Sequence, residues 1–144
     1  MSLHPDIIVI GGGIAGVSAA AELAAHANVT LIEGEAQLGY HSTGRSAAIF
    51  IRNYGNATLR ALNAAAAPVF ESPEGISDRS LLSPRGELMI ATEEELPVLD
   101  AYCEGATGIE RLDAAQAVEL VPILRPGPIA SAMLERDAQD IDVD

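Results

Sequence analysis

The sequence contains no lysine and no tryptophan, and its eight basic residues are all arginine. Against 21 acidic residues, this leaves a formal net charge of −13. A chain this acidic lacks the positive potential that attracts nucleic-acid phosphates or anionic lipid surfaces. We therefore expect no nucleic-acid partner. Aromatic residues make up only 3% of the chain, which indicates a core packed from small aliphatic residues.

Cysteine is also nearly absent. The single Cys103 excludes an intrachain disulfide and a zinc cluster, and we predict no metal site. The apolar run at residues 7–10 is far too short to cross a bilayer, and the first residues lack the basic region of a signal peptide. These features predict no transmembrane segment and a cytoplasmic protein, with peripheral attachment to the inner membrane left open.

The chain begins with a pattern typical of a βαβ unit. Residues 6–10 predict a buried strand, residues 14–27 a helix and residues 28–33 a second strand. Two strands joined by one helix over so short a span are expected to be parallel. Residues 34–55 then read as a loop that carries a short apolar patch at residues 46–51.

The rest of the chain does not continue this alternation of strand and helix. The patterns predict a helix over 56–70 capped by Asn56, a strand over 87–91, and a helix from Thr92 to about Cys103. They also predict a short helix from Asp113 and a last strand over 129–135, followed by an acidic segment. The sequence therefore predicts α+β material after the first unit.

A glycine motif lies between the first predicted strand and helix. Gly11, Gly13 and Gly16 have the G-x-G-x-x-G spacing of dinucleotide-binding turns, with Gly12, Ile14 and Ala15 between them. Glu33 follows about 20 residues later, where an acid can bind ribose hydroxyls. The alternative is a tight turn without a ligand. An acid at this position disfavours NADP and leaves FAD and NAD open.

A second segment, GYHSTGRSAAIF at residues 39–50, separates these two cofactors. Together with DIIVIGGGIAGVSAAAELA and LLSPRGELMI, it resembles the N-terminal part of the FAD-dependent D-amino-acid oxidase-like superfamily. The bacterial D-amino-acid dehydrogenases that accept basic substrates such as D-arginine are the most similar branch. The resemblance covers nearly the whole chain and implies FAD as the cofactor.

The resemblance also implies a fold class and a domain organisation. The fold would be α/β, with a Rossmann-like FAD-binding βαβ unit followed by α+β segments of an interwoven substrate domain. Residues 1–50 would form the core of the FAD-binding domain, and residues 51–144 would lead into the substrate domain. The chain would then be part of a longer enzyme, and we expect these residues alone to lack a complete active site.

Site residues follow from the same resemblance. FAD would be contacted by the glycine motif, by Glu33, Gly34 and Glu35, and by His41, Ser42, Thr43, Arg45, Ser46, Ala47 and Ala48. Arg45 could instead form a surface ion pair, and His41 could be a structural histidine. Tyr54 and Glu87 would face the substrate. The resemblance departs at Ile49, where the relatives carry a histidine beside the flavin.

The implied reaction is hydride transfer from a D-amino acid, in particular D-Arg or D-Lys, to flavin, which yields the imino acid and then the 2-oxo acid. Two alternatives stay open: a non-catalytic FAD-binding subunit or fragment of another amine or glycine oxidase, and an NAD-binding domain. Neither a catalytic base nor the electron acceptor can be assigned.

Overall fold

The structure, a computed structural model, describes residues 4–143 and contains two compact units. The first unit comprises residues 4–47 together with Val143, and the second comprises residues 48–142. None of the helices between residues 4 and 143 is long and apolar enough to cross a membrane.

The first unit is a βαβ motif. Strand β1 spans Ile7–Ile10, helix α1 spans Ile14–Ala24, and strand β2 spans Val29–Ile32. The strands pair in parallel from Ile7 opposite Val29 to Ile10 opposite Ile32. This confirms the parallel βαβ unit predicted from the alternation of β-branched runs with an alanine-rich helix, and with it the α/β fold class.

The second unit holds the remaining elements in two antiparallel sheets. Its strands are β3 (Ile49–Phe50), β4 (Leu82–Pro84), β5 (Glu87–Ala91), β6 (Ile109–Leu112), β7 (Ser131–Glu135) and β8 (Gln139–Ile141). Its helices are α2 (Ala57–Glu71), α3 (Leu96–Cys103) and α4 (Ala114–Leu120), with a 3-10 turn at Glu93–Glu95. The strand orders are β3-β8-β4 and β5-β7-β6.

Side-chain caps begin the helices of the second unit where the sequence predicted them. The Asn56 side chain accepts a hydrogen bond from the Leu59 amide at 3.1 Å and starts α2. Asp113 and Gln116 form a reciprocal capping box at α4. Thr92 and Glu95 form another before α3. Local sequence is sufficient here because each cap bonds within one turn.

Four strands, β3, β4, β6 and β8, were not predicted. The strand predicted over 129–135 is confirmed as β7, but it is not the last strand, because β8 follows within the acidic segment and pairs with both β3 and β4. Arg85, which directly follows β4, pairs with Asp140 of β8 at 2.6 Å, so opposite charges support this polar strand. Strands β3, β4 and β6 also lie in stretches without a strand pattern. All four are held by distant partners rather than by their own sequence.

The second unit buries two small cores. Phe50, Ala67 and Leu82 form one. Ala91, Leu99 and Met133 form the other, between the β5-β7-β6 sheet and α3. Strand β7 is the central strand of that sheet and is buried from Ala132 to Glu135. An acidic residue therefore ends the most buried strand of the unit.

Candidate functional site

The glycine motif forms the sharp turn between β1 and α1. Gly11 has φ +105°, a backbone conformation that residues other than glycine rarely adopt. A Cβ added at Gly11 would meet no atom within 4 Å. A Cβ at Gly16 would overlap the carbonyl oxygen of Gly11. A Cβ at Gly13 would lie 3.1 Å from Thr43 Oγ1. The turn therefore brings α1 close to the strand and leaves backbone open at Gly11.

Glu33 lies just after β2 and closes onto this turn. Its Oε2 accepts the Gly12 amide at 2.7 Å, while Oε1 accepts the amides of Gly34 and Glu35 at 2.7 and 3.0 Å. These backbone hydrogen bonds lower the pKa of Glu33, so its carboxylate is charged at neutral pH. A carboxylate offers about four acceptor positions, so one remains for a hydroxyl donor.

The 39–46 segment folds back against the same turn. The Thr43 Oγ1 accepts the Ile14 amide at 3.0 Å, and the Gly39 amide donates to the Gly12 carbonyl at 3.0 Å. Thr43 thereby occupies one of the amides that α1 exposes at its N-terminus. Two stretches that the sequence separates by about thirty residues thus form one cluster of backbone amides, hydroxyls and an acid.

The other residues predicted to contact the cofactor lie around this cluster. His41 Nε2 lies 2.8 Å from Glu35 Oε1, and both side chains are exposed. The Arg45 guanidinium lies 5.2 Å from the centre of the Tyr40 ring, and the part of the chain that the structure describes offers it no ion-pair partner. Ser42, Ser46 and Ala47 are exposed on the same segment, and Ala15 is exposed in the first turn of α1.

Ala48 differs from its neighbours because it opens the second unit and has φ +50°. It alone has a positive φ among the non-glycine residues between positions 4 and 143. Such a conformation costs a β-carbon-bearing residue on the order of 1–2 kcal/mol. The small side chain of alanine limits this cost, and the Ala48 carbonyl is held by the Ile141 amide at 2.7 Å.

The first unit fits the adenosine diphosphate part of FAD. Such a group needs a glycine turn open to close approach, a helix N-terminus for the phosphates, and an acid for the ribose. Gly11 and Gly34 both leave space where a Cβ would stand, α1 begins at Ile14, and Glu33 is charged and adjacent. Each requirement is met by residues that bond to one another within this unit.

In the second unit, Tyr54 lies on the loop between β3 and α2. It is 61% exposed, and its side chain borders a cavity of about 170 Å³ lined also by Ile49, Phe50, Ile51 and Asn63. Glu87 begins β5 and belongs to a different cavity, of about 360 Å³. The structure therefore does not place Tyr54 and Glu87 in one cavity.

The surroundings of Glu87 are unusual for an acid. Glu87 is half-buried, it lies directly opposite Glu135 in the β5–β7 pair, and its Oε2 is buried without a hydrogen-bond partner among the described residues. Burial and the neighbouring Glu135 raise the pKa of Glu87. Burial and the two acids also raise the pKa of Tyr102 to about 12. An unpaired carboxylate oxygen is thus held beside a neutral phenol.

Two residues near Glu87 were not predicted from the sequence. Glu135 is fully buried and Asn53 is 4% exposed, and they are the buried polar residues of the described chain. They are hydrogen-bonded to each other at 2.8 Å. The one local signal for Glu135 was an acid at the end of the apolar run of β7. Asn53 and Glu135 lie more than eighty positions apart in the sequence, so hydrophobic periodicity cannot show that they pair.

Comparison with known families agrees with this geometry. Residues 6–144 match the family described as FAD dependent oxidoreductase (DAO). The chain belongs to this family. FAD is the family's cofactor, which confirms the prediction of FAD over NAD. The match extends from the first strand through the end of the second unit.

Solved structures with the same fold include several oxidases and dehydrogenases. L-proline dehydrogenase from P. horikoshii has a TM-score of 0.75 and 23% identity over 99% of this chain. L-α-glycerophosphate oxidase from Mycoplasma pneumoniae, with FAD bound, has a TM-score of 0.74 and 19% identity over 96% of this chain. Glycine oxidase from Geobacillus kaustophilus has a TM-score of 0.71 and 22% identity over 96%.

The chain spans only part of these proteins. It covers 39% of the proline dehydrogenase, 39% of the glycerophosphate oxidase and 41% of the glycine oxidase. At such identities, the likeness establishes the fold alone. The substrates in these names differ from one another, so they do not define the substrate of this chain.

Proposed function

We propose that these 144 residues supply the FAD-binding part, and one side of the substrate site, of a longer oxidoreductase that acts on D-amino acids with a basic side chain. The family membership supports FAD-dependent oxidation. The D-configuration and the basic side chain come from the sequence resemblance, and the environment of Glu87 supports the second of these. The 144 residues alone would lack a complete active site.

FAD, when bound, would accept the hydride that leaves the substrate α-carbon. The residues of this chain would bind and orient the reactants. In the first unit, Glu33 would accept hydrogen bonds from the ribose hydroxyls, and the amides at the start of α1 would meet the pyrophosphate. The segment at residues 41–48 would contact the flavin through small side chains and backbone. Tyr54 would limit access of water to the substrate.

The observation that carries the substrate proposal is the buried, unpaired Oε2 of Glu87. A buried carboxylate oxygen without a donor is costly, and a guanidinium or ammonium group would supply the missing donor. D-Arg and D-Lys carry these groups at the end of a flexible side chain. A neutral substrate such as D-Ala would leave Oε2 unpaired.

The test uses the FAD-loaded protein that carries these residues. Anaerobic reduction of its flavin by D-Arg, D-Lys or D-Ala is monitored by the loss of flavin absorbance. We expect D-Arg and D-Lys to reduce the flavin most efficiently. Glu87→Gln should lower that efficiency by about tenfold to a hundredfold and leave D-Ala unchanged. Glu94→Gln, which changes an exposed acid just after β5, is the matched control. Equal loss with D-Ala would refute the role of Glu87.

A second candidate is oxidation of a small neutral amine, as the name of the glycine oxidase relative suggests. The burial of Glu87 and the acid opposite it favour this candidate, because both disfavour the charged form of Glu87 that selection of a cation requires. The same substrate panel separates the two, since this candidate predicts glycine or D-Ala as the best reductant and no effect of Glu87→Gln.

A further inference from the structure

The buried Glu135 binds the loop that carries Tyr54. Its Oε1 accepts the amides of Arg52 and Asn53 at 3.1 and 3.4 Å, and its Oε2 accepts Asn53 Nδ2 at 2.8 Å. These three donors come from two consecutive residues. A buried carboxylate is costly unless it is hydrogen-bonded, so the loop and the end of β7 stabilise each other's position.

Asn53 extends this connection to a third segment. Its Nδ2 also donates to the Thr107 carbonyl at 2.9 Å, and its Oδ1 accepts the Thr107 amide at 3.0 Å. Both hydrogens of the amide group and its oxygen are therefore used. The backbone at residue 53 is fixed on one side by β7 and on the other by the segment that precedes β6.

The chain is also held on the other side of Tyr54. The Gly55 carbonyl accepts Arg60 Nε at 3.0 Å, and the same guanidinium donates to the carbonyls of Tyr102 and Glu104 at 2.7 and 2.8 Å. Gly55 itself has φ +80°. Tyr54 is thus an exposed ring between two anchored neighbours. A side chain that is mostly in solvent does not need a fixed backbone for packing. A side chain that must meet a ligand in one geometry does need one.

Glu135 connects this loop to the other candidate substrate residue. It lies opposite Glu87 in the β5–β7 register. We propose that Glu135 and Asn53 are positioning residues, which fix the backbone that carries Tyr54 relative to Glu87, so that both meet the substrate in a preset arrangement. This inference rests on the proposed function, because it takes the substrate-facing roles of Tyr54 and Glu87 from there.

The experiment compares Glu135→Gln with Glu110→Gln in the FAD-loaded protein that carries these residues. Glu110 lies on β6 of the same sheet, and its exposed carboxylate pairs with Arg136. Hydrogen exchange of the 49–60 peptide and the KM and kcat for D-Arg are measured for both. In Glu135→Gln, the remaining oxygen can still accept the two backbone amides, but the new NH2 group would oppose the donor Asn53 Nδ2, so we expect at least about tenfold faster exchange in this peptide.

The kinetic readout separates positioning from general damage. Loss of positioning should raise the KM for D-Arg about tenfold, with kcat and the flavin absorbance spectrum changed little. Glu110→Gln should change none of these quantities. Unchanged exchange in Glu135→Gln would overturn the inference. Faster exchange with an unchanged KM would also overturn it, because the network would then serve stability alone.

A second variant keeps the inference testable if Glu135→Gln misfolds. If Glu135→Gln does not fold, Asn53→Ala keeps the two backbone donors to Glu135 and must show the same exchange and KM changes. An unchanged KM for D-Arg in Asn53→Ala would overturn the inference.

The substrate panel keeps this outcome distinct from that of the proposed function. If D-Arg does not reduce the flavin of the unaltered protein, the proposed substrate is wrong. The KM comparison is then made with the D-amino acid or amine that does reduce it. An unchanged KM for that substrate in Glu135→Gln overturns the positioning role, and a raised KM supports it.

Discussion

The two units of this chain are organised by different forces. Among residues 4–47, Gly12 alone is buried, and Ile8, Ile10 and Ile32 are 55%, 85% and 48% exposed. The second unit instead buries two apolar clusters and a fully buried carboxylate. Hydrogen bonds to backbone amides hold the first unit together, whereas burial of side chains holds the second.

This difference follows from how the strands of each unit are covered. A parallel strand pair usually has both faces covered, so a βαβ unit with one helix leaves one apolar face in solvent. The first unit therefore gains little from the hydrophobic effect, and a bound FAD would stabilise it by mass action. The second unit needs no ligand to bury its core, and it can hold the candidate substrate residues in place.

The largest expected effect compares two apolar truncations in the 144-residue chain. Met133→Ala removes a fully buried side chain of the second unit, and it should lower the free energy of unfolding by about 2–5 kcal/mol. Ile10→Ala changes a side chain that is 85% exposed, and it should cost within about 0.5 kcal/mol. Urea unfolding measures both. Equal losses of unfolding free energy in the two variants would mean that the two units do not differ in how much they depend on side-chain burial.

A backbone change in the first unit should affect the cofactor more than the fold of the second. Gly16→Ala places a Cβ against the Gly11 carbonyl, which forces α1 away from the strand and should cost about 1–3 kcal/mol. We expect the flavin content after desalting to fall severalfold, with exchange in the 49–60 peptide unchanged. Gly127→Ala, where an added Cβ meets nothing within 4 Å, is the control. Equal flavin loss in both variants would contradict the close-approach role of Gly16.

The smallest expected effect concerns the pH dependence of the second unit. Because the folded chain raises the pKa of Glu87, the folded state holds this proton more tightly than the unfolded state. The stability from this group is fully present below the ordinary glutamate pKa and is lost as pH rises through the raised value. Glu87→Gln should therefore raise the Tm by about 2 °C at pH 7 and leave it unchanged at pH 4.

Thermal melts of Glu94→Gln at the same two pH values provide the reference, since Glu94 is exposed. A Tm that falls in Glu87→Gln at pH 7 would show that the charged form of Glu87 is stabilised in the fold. Together with the flavin assay, the expected result would identify Glu87 as a residue that lowers stability and supports substrate selection, a common trade-off at functional sites.

The sequence predicted the features that depend on neighbouring residues. The glycine motif, the acid at Glu33, strand β5 and the caps at Asn56 and Asp113 were all predicted, because each depends on bonds or spacing along a short stretch. The two strands of the first unit were recognisable from their β-branched runs. FAD itself was predicted from the resemblance of residues 39–50, since the glycine motif left NAD open.

The sequence did not predict features that depend on distant partners. Strand β8 is polar and forms because β3 and β4 pair with it on both sides. The burial of Glu135 depends on donors from Arg52 and Asn53, 83 and 82 positions earlier. Periodicity carries no information on such pairings, because it records only which face of an element is apolar.

The burial of Glu135 has a further consequence for how the sheet assembles. Side chains alternate along β7, so a shift of one residue against β5 and β6 would bring Leu134 or Arg136 to the place of Glu135. Neither side chain could accept the hydrogen bonds from Arg52 and Asn53, and those donors would be buried without partners. The same carboxylate therefore penalises misaligned strands during folding, so that one pairing of the three strands is selected over its nearest competitors.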